Sequence, residues 1–189
     1  VVILVLGTVC PRKGQQDLVK ALAQLAPALQ TRIRCYIVGD RPSEYSAELH
    51  ALAAQLPSGL RSRVHLISET RQTTEYYRAA DLFVCTSKLE SYPRVVLEAM
   101  AYGLPIVTTP VFGIREQVRE GVNALFYEAG DSSALADRLQ FVLQDEALRV
   151  RLASKSASVL ALGTDFDEMV GNYAEIFAEA WLSGGGPVA

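Results

Sequence analysis

Short apolar runs alternate with helical stripes along the whole chain, and each joins the next through a brief turn. The runs lie at 2–7, 34–38, 63–67, 82–86, 106–109 and 123–127. They are nearly continuous in Val, Ile, Leu and Phe, the pattern of strands covered on both faces. Between and after them the apolar residues fall at helical spacing. Residues 15–29 carry Leu18, Ala21, Leu22, Leu25 and Leu29 on one stripe. Further helices are predicted at 44–56, 73–80, 94–102, 114–120, 134–143, 146–160 and 166–182. Ser43 caps the helix at 44–56, and Asp131 or Ser132 caps the one at 134–143. Pro57-Ser58-Gly59 interrupts the pattern, and Gly103 ends its helix as a left-handed C-cap.

Strands that alternate with helices and short turns build right-handed βαβ units on a parallel sheet. The expected fold is α/β, a Rossmann-like three-layer αβα sandwich with a mainly parallel sheet of about six strands. One domain is expected over 1–182, followed by a flexible tail, 183–189, that begins Ser183-Gly184-Gly185-Gly186. Such sheets bind ligands at the carboxyl ends of their strands. That rule puts segments 7–14, 39–42, 68–74, 87–94 and 109–116 along one rim.

Composition narrows the function. A formal net charge of −3 leaves no electrostatic footprint for nucleic acid. No apolar run is long enough for a transmembrane segment, and the apolar start Val1–Leu6 reads as a buried strand rather than a leader. Cys10, Cys35 and Cys85 are scattered without a disulfide framework, which suits a reducing, cytoplasmic setting with buried or half-buried thiols. His50 and His65 lack partners at metal-ligand spacing, so no metal site is expected.

Chemistry concentrates in the turn Glu90-Ser91-Tyr92-Pro93-Arg94-Val95-Val96-Leu97-Glu98. Pro93 suits the first helical position, where its missing N–H has no partner to lose. The amides of Arg94, Val95 and Val96 would then face outward at the positive helix end, an anion site. A carboxylate accepts two neighbouring hydroxyls, so Glu98 and Glu90 are candidate polyol ligands. On this turn alone, helix capping by Glu90 and a dipole interaction by Glu98 are equally good readings. The loop Gly7-Thr8-Val9-Cys10-Pro11-Arg12-Lys13-Gly14 sets two cations between glycines, where a phosphate or plain solvent would suit it. Gly39 after the second strand and Gly113 after the fifth serve either turn chemistry or close approach to a ligand.

Taken in order, these elements resemble the donor-binding, C-terminal domain of the retaining group 1 glycosyltransferases, enzymes with two Rossmann domains (GT-B). The family signature of two glutamates eight apart followed by Ala-Met-Ala-x-Gly-x-Pro stands here as Glu90, Glu98 and Ala99-Met100-Ala101-Tyr102-Gly103-Leu104-Pro105. Lys13-Gly14-Gln15-Gln16-Asp17-Leu18, Val38-Gly39-Asp40 and Ala79-Ala80-Asp81-Leu82-Phe83-Val84 also fall where the family has them. The resemblance implies transfer of a sugar from a nucleotide-sugar, UDP- or GDP-linked, to an acceptor, with no metal cofactor. It gives Glu98 the ribose hydroxyls, Glu90 the transferred sugar, and Lys13 the leaving diphosphate. The amides of Arg94 and Val95 hold the distal phosphate. Tyr92, Gly7, Thr8, Arg12 and Gly39 complete the nucleotide-sugar surface, and the base lies near 67–70.

The pattern departs from the family in two places. Thr8 stands where the family has an arginine, leaving Arg12 as the substitute cation. Ser91-Tyr92-Pro93 replaces Gly-Phe-Gly, and Pro93 has no N–H to offer. The resemblance also implies an acceptor-binding N-terminal domain that this chain lacks, so the fragment is expected to bind nucleotide and be inactive alone. The full-length protein is expected to be cytoplasmic, peripheral to the membrane. The last helix, with Ile176, Phe177 and Trp181, leaves an apolar stripe for the missing half or for self-association. The alternative reading is a non-catalytic binding or assembly module of the same fold.

Overall fold

A computed structural model describes residues 1–163 and 166–183; the expected tail beyond 183 lies outside the described residues. The chain runs β1 (Val2–Leu6), a 3-10 turn (Pro11–Lys13), α1 (Gln15–Gln24), α2 (Pro27–Gln30), β2 (Arg34–Asp40), α3 (Glu44–Ala54), α4 (Ser58–Arg61) and β3 (Val64–Ser68). It continues with α5 (Thr73–Ala79), β4 (Leu82–Cys85), α6 (Arg94–Ala101), β5 (Ile106–Thr108), α7 (Ile114–Gln117), β6 (Ala124–Phe126), α8 (Ser132–Gln144), α9 (Glu146–Leu160) and α10 (Phe166–Ser183).

The six strands form one sheet in the order β3-β2-β1-β4-β5-β6, and every pairing between them is parallel. Alternate residues of each strand enter different cores. Ile3 and Val5 of β1 pack with Leu18, Leu22, Leu49 and Leu139 from α1, α3 and α8. Leu4 packs on the other face with Tyr77, Val96, Met100, Ile114 and Val159 from α5, α6, α7 and α9. Helices on both faces are what near-continuous apolar strands require, and the expected three-layer α/β fold is the one observed.

Local chemistry shifts several element boundaries. The stripe predicted at 15–29 is two helices, because Pro27 has no N–H and biases Ala26 away from helical backbone. Leu25 and Ala26 are extended there, with ψ of 147° and 139°. The breaker at Pro57 starts the short α4 rather than a plain loop. Asp131, not Ser132, caps α8, accepting from the amides of Ser133 and Ala134. Gly103 (φ 68°) closes α6 as expected, with the amides of Gly103 and Leu104 donating back to Met100 and Ala99 carbonyls.

The apolar stripe expected on the last helix is present: Met169, Val170, Tyr173, Ile176, Phe177 and Trp181 of α10 are all exposed. Cys35 and Cys85 are buried and Cys10 is half-buried, all as free thiols. No helix among the described residues is long and apolar enough to cross a membrane.

Candidate functional site

The strand order reverses direction at β1 and β4, so the loops leaving these two strands diverge and open a crevice between them. Hydrogen bonds sew the two loops together at its base. The Lys88 amide donates to the Arg12 carbonyl at 2.7 Å, and the Thr86 hydroxyl donates to the Lys13 carbonyl at 2.7 Å. Gly14 between them has left-handed backbone (φ 64°), and a Cβ there would sit 2.4 Å from the Thr86 carbonyl oxygen. Gly39 plays the same part between β2 and β1. Its φ is 117°, and a Cβ would stand 2.4 Å from the Gly7 carbonyl oxygen. Gly7 itself leaves β1 at φ 144° and donates its amide to the Val38 carbonyl.

Glu90 lies at the centre of the crevice with its side chain only 7% exposed. Its Oε1 receives the Lys13 ammonium, Arg12 Nη1 at 3.3 Å and the Ser87 hydroxyl at 2.9 Å. Arg12, the substitute cation of the sequence reading, therefore points into the site although half its side chain stays in solvent. Lys13 is largely buried. Thr8 contributes its carbonyl to Gln15 Nε2 at 3.0 Å, which fixes the loop without adding charge.

The helix start differs in detail from the sequence expectation. Pro93 is the N-cap of α6, with extended backbone, rather than its first helical residue. The Val96 amide donates to the Pro93 carbonyl at 3.1 Å, so the anion site expected from three amides is reduced to those of Arg94 and Val95. The Arg94 side chain extends into solvent and approaches Glu98 at 4.0 Å. Glu98 Oε2 accepts the Tyr77 hydroxyl at 2.8 Å, and that hydroxyl also lies 3.3 Å from the Val95 carbonyl. Burial first, and then this bond to Glu98, push the Tyr77 phenol well above its ordinary pKa. The Tyr77 ring stacks on Tyr102 with centroids 5.1 Å apart, which fixes the phenol under Glu98.

The loop after β5 supports the turn from outside. A Cβ on Gly113 would lie 1.5 Å from the Ser91 carbonyl oxygen, so the two backbones touch. Gln117 Nε2 donates to the Pro93 carbonyl at 3.1 Å. Tyr92 turns toward Gly113 and lines a groove with Leu97, Met100 and Gln117. The pocket at Glu90 is bounded instead by Arg12, Leu89, Glu90, Ser91 and Phe112. The structure thus brings Lys13, Arg12 and Glu90 together and sets Tyr92 apart from them.

At the far end of the rim, Arg41 and Glu69 form a two-pronged ion pair, both contacts at 2.7 Å, across the ends of β2 and β3. It closes the edge beside 67–70, where the base was expected. Ser87, Tyr77 and Phe112 escaped the sequence reading. Ser87 and Tyr77 bond the two glutamates directly, but nothing in a linear pattern ties them to residues in other segments. Among the described residues no group of three His, Cys, Asp or Glu stands close enough to hold a metal ion.

The fold and crevice define a doubly wound α/β domain with a charged site at its topological switch point. The chain belongs to the glycosyl transferases group 1 family, which it matches over residues 1–159. It is similar to the D-inositol 3-phosphate glycosyltransferase of Xylanimonas cellulosilytica, 35% identical over 182 residues, covering 94% of this chain and 42% of that protein. It is similar also to the lipopolysaccharide core biosynthesis glycosyltransferase LpsE of Rhizobium meliloti, 29% identical, covering 94% and 49%. Among solved structures, Anabaena Alr3699/HepE in complex with UDP, and with UDP-glucose, superposes with a TM-score of 0.82 at 29% identity, covering 94% of this chain and 48% of that one. The chain therefore spans a little under half the length of these relatives.

Proposed function

We propose that this chain is the donor-binding, C-terminal half of a retaining GT-B glycosyltransferase that moves a sugar from a nucleotide-sugar to an acceptor. The observation that carries the reading is the convergence of Lys13 and Arg12 on buried Glu90 at the β1/β4 switch point, in the loop that leads into the open end of α6. As the bond between sugar and phosphate breaks, negative charge grows on the diphosphate. Lys13, Arg12 and the amides of Arg94 and Val95 would stabilise that charge without a metal. Glu98, on the second turn of α6, would accept the ribose hydroxyls. The Anabaena relative's complexes with UDP and UDP-glucose support a nucleotide-sugar as ligand.

Acceptor binding and transfer would belong to an N-terminal domain like the other half of the relatives, so the isolated chain binds donor and transfers nothing. A cytoplasmic, membrane-peripheral place for the full-length protein is part of the same reading. So is the use of the exposed α10 stripe either against that domain or between copies. Calorimetric titration with UDP, GDP, ADP and their sugar conjugates tests the proposal, with saturable binding of one nucleotide expected. A second reading, a non-catalytic module of the same fold, draws on Thr8 and on Pro93, whose nitrogen has no hydrogen to donate. Saturable nucleotide binding that is untouched by Glu98→Ala would favour it.

A further inference from the structure

Phe112 is the one non-glycine residue among those described with left-handed backbone, φ 44°, and the residue is 66% exposed. A bulky side chain is rarely found in that conformation. Its neighbours hold it there. Gly113 is locked against the Ser91 carbonyl, and Arg115 Nε donates to the Pro110 carbonyl at 2.6 Å, bracing the loop across its base. The ring forms one wall of a pocket of about 520 Å³ whose other walls are Arg12, Leu89, Glu90 and Ser91. Leu89 is half exposed on the same lip. Glu90 uses Oε1 for its bonds to Lys13, Arg12 and Ser87, and Oε2 takes part in none of them.

An apolar ring and a carboxylate that line one pocket are complementary parts. A pyranose offers the matching pair: a face of C–H groups for the ring and an edge of hydroxyls for the carboxylate. We infer that Phe112 is a specificity-determining residue whose ring stacks on the pyranose of the donor, opposite Glu90. The inference rests on the donor-binding reading above and adds to it the residue that distinguishes a sugar-bearing donor from the bare nucleotide. The backbone at 112 is held by its neighbours, which limits what the loop must order on binding.

The test measures binding of UDP, GDP and ADP, and of their glucose, galactose, mannose and N-acetylglucosamine conjugates, to the 189-residue chain. Phe112→Asn removes the ring while keeping a residue that tolerates left-handed backbone, and Phe112→Tyr keeps the ring. Phe112→Asn is expected to weaken the preferred nucleotide-sugar about five- to tenfold and leave the bare nucleotide within about twofold, with Phe112→Tyr restoring wild-type binding. Saturation-transfer NMR on the wild type is expected to show contact between Phe ring protons and the pyranose, independently of any variant. If nucleotide and nucleotide-sugar weaken equally, or the sugar adds nothing that Phe112→Asn removes, the role of Phe112 is overturned while the nucleotide site stands. If no nucleotide binds at all, the donor-binding reading fails, and this inference fails with it.

Discussion

Lys13 reaches from the loop after β1 to Glu90 on the loop after β4, and the two meet with little solvent around either. They are distant in sequence, yet the parallel pairing of β1 with β4 sets their loops side by side. A cation and a carboxylate so enclosed are costly to separate, because whichever remains loses its compensating charge.

Lys13→Ala therefore destabilises the chain, but by less than for an isolated pair, since Arg12 and Ser87 still bond Glu90. The expected loss is about 1–3 kcal/mol in urea unfolding. Lys13→Ala combined with Glu90→Gln loses less than the sum of the single changes, as contacting residues do. Strict additivity would show that the pair is not coupled.

Two glycines with positive φ separate strain from crowding. Gly103 has open space where a Cβ would go, whereas a Cβ on Gly39 would press into the Gly7 backbone. Gly103→Ala is expected to cost about 1 kcal/mol, from the left-handed conformation alone. Gly39→Ala is expected to exceed about 3 kcal/mol or to prevent folding, since β1 and β2 must part. Equal losses on thermal unfolding would contradict this account of the β2 end.

Asp40 gives a pH prediction. Burial raises its pKa, but bonds from Ser46 Oγ at 2.6 Å and His50 Nε2 at 2.7 Å outweigh that, and its folded value lies below the ordinary one. A depressed carboxyl adds stability that is fully present above its unfolded pKa. That stability is lost as pH falls through the folded value. Asp40→Asn should thus flatten the fall in stability on the acid side of the ordinary Asp range. A variant whose acid limb matches wild type would remove Asp40 from the account.

Thiol chemistry reads the packing directly. Burial pushes the Cys35 thiol up to about 12, and Cys85 lies inside the second core. Cys10 sits half-buried in the loop after β1. A disulfide reagent at pH 8 should modify Cys10 in minutes and the other two only on unfolding. Rapid modification of Cys35 in the folded chain would contradict its buried place on β2, between β1 and β3.

Much of the fold could be read from residue order, because it depends on periodicity: all six strands and the main helices follow from apolar spacing. Boundaries slipped where one residue overrode the stripe, as Pro27 did. The positions of Lys13 and Glu90 on the rim were legible because each sits at a strand-to-helix turn. The bonds that hold them were not. Ser87 and Tyr77 act through three-dimensional neighbours, and Phe112 stands out only through its backbone angle, which no sequence pattern reports. Tyr92 lines the groove beside Leu97 and Met100, a neighbourhood that its position in the chain does not report.

Glu98 offers the most direct test of the proposed nucleotide site. Its carboxylate is held by the Tyr77 hydroxyl, and that bond aims it without enclosing it. Calorimetric titration of the chain with UDP, GDP and ADP, repeated on Glu98→Ala and Glu98→Gln, measures its contribution. One nucleotide should bind, and Glu98→Ala should weaken it about ten- to a hundredfold, the loss expected for hydrogen bonds to a charged acceptor. Binding of that nucleotide with unchanged affinity in both variants would contradict the role of Glu98, and no binding of any nucleotide at millimolar concentration would contradict the site itself.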